Sequence, residues 1–168
     1  MTTAQDLFRT LIHHNLAPRL RALGWQGSGQ RYLLPDPRSW AQMGFQRSRS
    51  NTAASVRFTV NISVIGKAAW AEFRSEQPDM PLRPRPGAHY WPSSFHCKRI
   101  GDLMPADEDI WWELAAGHST EDVSRVADGV YAAIAEYAMP AVQRMLAQAG
   151  VAVVTGPDAG PVTGPGQP

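Results

Sequence analysis

From Val56 to Val64 the side chains alternate in character without a break. Phe58, Val60, Ile62 and Val64 are apolar, while Arg57, Thr59, Asn61 and Ser63 between them are polar. A period of two sends successive side chains to opposite faces of a pleated strand, so this segment predicts a half-buried strand in an antiparallel sheet. Trp40–Ser48 repeats the pattern, with Met43 and Phe45 on one side and Gln42, Gln46 and Ser48 on the other. The polar link from Arg49 to Ser55 joins the two as a hairpin longer than a tight turn.

The flanking segments have helical spacing. Phe8, Ile12, Leu16, Leu20 and Leu23, widened by Leu7 and Leu11, predict an amphipathic helix over Thr3–Leu23. Pro18 removes the bond to the His14 carbonyl, which predicts a kink or break near Asn15–Ala17, and Gly24 ends the helix. Gly27-Ser28-Gly29 reads as a turn into a short strand at Arg31–Leu34. Lys67–Arg74 predicts a short helix, and Ser94–Ile100 and Ile110–Leu114 predict strands. Five prolines in Pro78–Pro92 exclude helix or central strand there and leave an ordered excursion or a flexible loop. Ser119-Thr120-Glu121-Asp122 has the hydroxyl and acids of a helix start. That helix runs through Val123, Val126, Val130, Ile134 and Tyr137 to Pro140 and resumes over Val142–Ala149. The expected fold is α+β: a mostly antiparallel sheet of four or five strands, with the N- and C-terminal helices packed on one face. Residues 1–150 form a single domain, and 151–168, with four Gly and four Pro, form a disordered tail.

At 168 residues, 43% of them apolar and 18% charged, the chain can bury a real core. No apolar run approaches the roughly 18 residues needed to cross a bilayer. The N-terminus lacks the basic-then-apolar order of a secretory signal. A single cysteine forms no internal disulfide, so a reducing cytoplasm is the expected setting.

The net charge of +1 hides a split. Met1–Ile100 carries 14 basic and 5 acidic residues, a net +9, and the remainder carries 2 basic and 10 acidic, a net −8. Such asymmetry marks a nucleic-acid surface, two faces that attract a partner, or an acidic C-terminal helix packed beside a basic sheet edge, and the neutral total favours the last. Arginine supplies 14 of the 16 positive charges, which suits fixed, fork-shaped contacts to carboxylate or phosphate.

Six segments then resemble one family in order. They are Asn15-Leu16-Ala17-Pro18-Arg19-Leu20 with Leu23-Gly24-Trp25; Phe45-Gln46 with Ser48 and Ser50; Phe58-Thr59-Val60-Asn61-Ile62; Arg99-Ile100-Gly101; Trp111-Trp112; and Met139-Pro140-Ala141. Together they are similar to the bacterial domain-of-unknown-function family 4304, over about residues 6 to 148. Trp25 stands where that family usually has Phe, and Pro78–Pro92 is longer and richer in proline than its typical loop. The resemblance implies kinship and transfers no activity.

The residues themselves argue against several chemistries. His96 and Cys97 are neighbours on a strand and therefore face opposite ways, so they are no nucleophile–base pair, and Cys97 reads as a small buried hydrophobe. His13 and His14 lack the i, i+4 spacing of metal ligands on a helix, and no metal or cofactor is called for. Gly27-Ser28-Gly29 lacks the third glycine of a dinucleotide loop. Asp107-Glu108-Asp109 reads as a solvated turn. Trp111 and Trp112, adjacent on a strand, cannot share one core, and Trp91 is expected to be exposed.

What remains is a polar sheet face. Pairing the two long strands sets Gln46 and Ser48 across from Thr59, Asn61 and Ser63 on one outer face, with Arg47, Arg49 and Arg57 at the hairpin tip or edge and Arg99 joining if its strand is adjacent. Amides and hydroxyls rimmed by guanidinium suit a peptide backbone, a base or an anion. The leading expectation is a non-catalytic module that binds another protein. The alternatives are nucleic-acid binding through Arg47, Arg49 and Arg57, and an enzyme or small-ligand site around Asn61, Gln46, Arg99 and His96. No membrane is expected as a partner.

Overall fold

The computed structural model describes residues 2–88, 90 and 95–151. The readings for Trp91, for a strand start at Ser94 and for the tail from 152 onward lie outside the described residues. The N-terminal helical rod is α1 (Ala4–Thr10), a wide π-helical turn (Leu11–Leu16) and α2 (Ala17–Ala22). Strands β1 (Gln26–Ser28), β2 (Arg31–Leu34), β3 (Ser39–Arg47) and β4 (Ser55–Gly66) follow. Then come α3 (Lys67–Glu76), β5 (His96–Arg99), a 3-10 turn (Ile100–Leu103) and β6 (Trp112–Ala115). The chain closes with α4 (Thr120–Ala133), a second π-helical turn (Ile134–Ala138) and α5 (Met139–Val151).

The sheet has six antiparallel strands in the order β1-β2-β3-β4, with β5 and β6 sharing the far edge of β4. Five of these are the predicted strands. The sixth, β1, is Gln-Gly-Ser, and three residues with no apolar side chain give no period to read. It folds back on β2 through Ser28–Arg31, with Gly29 at φ +59° supplying the left-handed turn.

Alternation sets the core where expected. Phe58, Val60, Ile62 and Val64 are fully buried, and with Met43 and Phe45 they meet Phe8, Leu11, Leu16, Leu20, Val130, Ile134 and Val142 from the helices. Phe58 sits at the centre, with ring centroids 5.0 Å from Phe8 and 6.0 Å from Trp112. Both helices begin with a reciprocal cap, Thr3 with Asp6 and Ser119 with Asp122. The break expected around Pro18 is instead a π-turn: the Ala17 N–H reaches back to the Ile12 carbonyl. The same turn precedes Pro140, where the Met139 N–H reaches Ile134. Each rod stays continuous because the widened turn takes up the bond that proline cannot donate. Two ion pairs, Arg19–Asp128 and Arg99–Asp109 (both 2.7 Å), tie the basic half of the chain to the acidic half.

The second face of the sheet departs from expectation, because it is covered. Ile65, Trp70 and Phe95 form a small second core with Trp40, Phe73, Met80 and Tyr90. From it the chain runs back over the sheet as a strap, residues 80–88. The Trp70 indole N–H donates to the Leu82 carbonyl (3.2 Å), Arg74 Nε to the Met80 carbonyl (3.2 Å), and the Arg85 N–H to Tyr90 Oη (3.0 Å). This part of the proline-rich segment is thus an ordered excursion, pinned at both ends by the aromatic cluster.

Candidate functional site

Register places Arg31, Gly44, Asn61 and Arg99 in one row across β2, β3, β4 and β5, all on the face turned away from the long helices. Gly44 has no side chain in this row, and the strap sits in the gap. A Cβ at Gly44 would lie 2.9 Å from Pro86 Cγ, and one at Gly87 would lie 2.7 Å from Asn61 Nδ2. Gly87 itself has φ +86°, a conformation few other residues adopt. Asn61 Nδ2 donates to Gln46 Oε1 at 2.7 Å, which holds the amide pair flat beneath the strap. The strap therefore divides a polar trough into openings on its two sides.

On the β5 side, a cavity of about 310 Å³ is lined by Asn61, Gly87, Cys97, Lys98, Arg99 and Asp109. Arg99 Nη1 binds Asp109 Oδ1 at 2.7 Å, and the Trp111 indole N–H donates to Asp109 Oδ2 at 2.8 Å. The guanidinium groups of Arg99 and Arg57 lie 5.4 and 5.8 Å from the Trp111 ring. The Trp111 hydrogen bond, then that of Arg99, holds the Asp109 carboxyl below the usual carboxylate range. Asp109 is thus a fixed anion that neutralises Arg99. Burial pushes the Cys97 thiol up, so it is no thiolate near neutrality.

On the β2 side the lining is different. One cavity of about 250 Å³ is bounded by Gln30, Arg31, Gln46, Asn61 and Pro86. A broader one of about 580 Å³ is bounded by Gln26, Arg31, Gln42, Arg83, Arg85 and the strap prolines. Among the described residues, neither lining contains a carboxylate. Gln42 is buried along this trough, and its Oε1 has no hydrogen-bond partner among the described residues. Within the strap Pro84 is buried and Pro86 half-buried, whereas Leu82, Arg83 and Arg85 are exposed. Prolines face the sheet and arginines face out.

The predicted polar face is therefore only partly accessible. Thr59 and Ser63 are fully buried, their hydroxyls without a partner among the described residues, and Asn61 is 7% exposed, which corrects the expectation that Thr59, Asn61 and Ser63 line an open outer surface. The reason is the strap, whose proline content gave no indication of where it packs. Gln46 is exposed, and Ser48 is half-buried with its hydroxyl 2.9 Å from that of Ser50. Arg47, Arg49 and Arg57 are exposed at the hairpin end, where Asn51 stands in for a strand partner by accepting from the Arg57 N–H and donating to its carbonyl. Arg99 joins Asn61 by direct register. His96 does not, because it pairs with Val64 and lies on the opposite face. Trp112 packs on Phe58, while Trp111, one residue before β6, lies on the other side beside Arg99. Among the described residues, no three His, Cys, Asp or Glu side chains gather as metal ligands would. No helix there is long and apolar enough to cross a membrane.

Sequence reasoning passed over Arg31, Gly44, Arg83, Arg85 and the Pro86–Gly87 turn as site residues. Two signals were present: the glycine interrupting the alternation of β3, and the alternation of Pro with Arg in Arg83-Pro84-Arg85-Pro86.

The motifs shared with the resembling family fall at the joints of this architecture: the α2 end, β3, β4, the β5 turn, Trp111-Trp112 and the start of α5. No curated protein and no solved structure matches the chain. A family model does match, over residues 16–144, from the last residue of the first π-turn to the middle of α5, so the chain belongs to the family described as Domain of unknown function (DUF4304).

Proposed function

We propose that this chain is a non-catalytic module that binds another protein, and that the strap-bearing face is where it does so. The observation that carries the reading is the composition of the β2-side trough. Guanidinium groups from Arg31, Arg83 and Arg85 and amides from Gln26, Gln30, Gln42 and Gln46 surround it, with no carboxylate among them. These groups recognise and orient a ligand through amide hydrogen bonds and fixed guanidinium donors. Across the strap, Asp109 is committed to Arg99 and Trp111, and the Cys97 thiol is kept protonated by burial. A reducing cytoplasm, in keeping with a free Cys97, belongs to the same reading.

The test places a photo-crosslinking residue at position 82 in the full chain, with position 125 on α4 as control. The expected result is a saturable protein adduct in lysate of the source cells from position 82 and none from 125. If position 82 yields no adduct, the reading fails.

A second reading, nucleic-acid binding, is favoured by one observation. Arg47, Arg49 and Arg57 are exposed at one hairpin end and take part in no ion pair among the described residues. It requires oligonucleotide affinity that falls steeply with salt and weakens on Arg→Ala at these positions, and a flat titration at ~50 mM salt removes it.

A further inference from the structure

We infer that the outer edge of the strap, Leu82-Arg83-Pro84-Arg85, docks an extended acidic segment that also carries an apolar side chain. The inference rests on the protein-binding reading and names its occupant. The argument begins with backbone order. Pro84 and Pro86 fix their own φ and turn toward the sheet, where Pro84 is buried and Pro86 lies against Gly44. Hydrogen bonds from Trp70 to the Leu82 carbonyl and from the Arg85 N–H to Tyr90 then hold the carbonyl and amide between which Arg83 lies. The two guanidinium groups are presented from a chain already in place, so little backbone freedom remains to be lost on binding.

Charge comes next. Arg31, Arg83 and Arg85 border one trough with no carboxylate in its lining, and none of the three is in an ion pair among the described residues. Arg83 instead lies over the Trp40 ring at 5.1 Å, which fixes its direction and leaves its donors available. Exposed guanidinium groups in a fixed fork select carboxylate or phosphate.

Leu82 separates those two. It is 76% exposed beside the arginines, and a phosphate backbone has no aliphatic side chain to cover it. A protein segment supplies both the carboxylates and the cover. Alternate side chains of an extended chain share one face and lie about 6–7 Å apart, so acidic residues two positions apart meet Arg83 and Arg85 while an apolar residue two positions further along the same face reaches Leu82.

The experiment uses the full chain and three fluorescent probes: a Glu-Leu peptide that carries Leu, Glu and Glu at alternate positions separated by Ser, its Gln-Leu counterpart with Gln in place of each Glu, and a short oligothymidylate. The expected result is saturable binding of the Glu-Leu peptide that weakens with salt. It falls about tenfold or more for the Gln-Leu peptide and in the double variant Arg83→Gln, Arg85→Gln. Leu82→Asn weakens it as well, and Arg125→Gln on α4 leaves it unchanged. An unchanged Trp70 indole NMR signal in each variant shows that the strap is still seated. No saturable binding of the Glu-Leu peptide overturns the inference, as does binding indifferent to Leu82, Arg83 and Arg85. Tighter oligothymidylate binding that the same variants abolish overturns it in favour of nucleic acid. A crosslinked adduct at position 82 that persists in the double arginine variant overturns the acidic occupant and leaves the protein-binding reading standing. Absence of any adduct fails that reading itself.

Discussion

Gly44 and Asn61 face each other across the β3–β4 ladder, and one turn of chain, Pro86–Gly87, rests on both. The strap is seated because one residue lacks a side chain and the other is tied sideways to Gln46. Gly44→Ala puts a methyl 2.9 Å from Pro86 Cγ, so the strap must shift. The expected cost is about 1–3 kcal/mol in denaturant unfolding, with faster hydrogen exchange at the Arg85 amide, which bonds Tyr90. Unchanged exchange would show that this contact does not hold the strap.

The two faces of β4 should respond oppositely to substitution. Phe58→Ala removes the ring on which Phe8, Phe45 and Trp112 converge and is expected to cost about 3–5 kcal/mol. Thr59→Val, one residue on, replaces a buried hydroxyl without a partner among the described residues by a methyl, and should be neutral or stabilising. Paired urea titrations check both, and a large loss for Thr59→Val would reveal a hydrogen bond at that hydroxyl.

Gly101 reaches Asp109 indirectly. A Cβ there would overlap the Glu108 carbonyl, so Gly101→Ala must displace the segment that carries Asp109. The expected outcome is a shift in the Trp111 indole N–H resonance, because that group donates to Asp109, with little change in the indole of core Trp25. If both indoles move together, the substitution has disturbed the whole fold.

Acid stability follows three carboxylates whose ionised forms are favoured in the fold. Asp6 is lowered first by the Thr3 hydroxyl, Asp122 by the Ser119 backbone N–H, and Asp109 by the Trp111 indole. A carboxyl with a depressed folded pKa adds stability that is complete above its unfolded value and is lost as pH falls through the folded one. Tm should therefore be flat from about pH 7 to about 5 and decline below about 4. Asp122→Asn should lower Tm at neutral pH and shrink the acid decline. A Tm that rose on acidification would contradict this.

The sheet and its core face were legible because alternation over Val56–Val64 is a local signal with one geometric meaning. The caps at Thr3 and Ser119 are likewise local. The covering of the second face was not legible, since it depends on where residues 80–88 return in space, and proline content says only what a segment cannot be. For the same reason Thr59 and Asn61 read as available while Arg83 and Arg85 read as loop. Arg99 joined Asn61 only on the condition that its strand be adjacent, which the β4–β5 pairing meets, whereas His96 lies three residues away at the other parity and so on the other face.

The two π-turns have a consequence for how the long rods are encoded. One series of buried residues on the first rod, Ala4, Phe8, Ile12, Leu16 and Leu20, and one on the second, Val130, Ile134, Ala138 and Val142, each advance by four residues, beside other buried positions such as Leu11, Ala17, Ala133 and Ala141. On an ideal helix of 3.6 residues per turn such a series drifts about 40° at each step and soon leaves the sheet. The widened turn winds that drift back, so each four-residue series stays on the sheet as the rod approaches its proline. Deleting one residue from either turn would swing everything beyond it out of phase with the sheet.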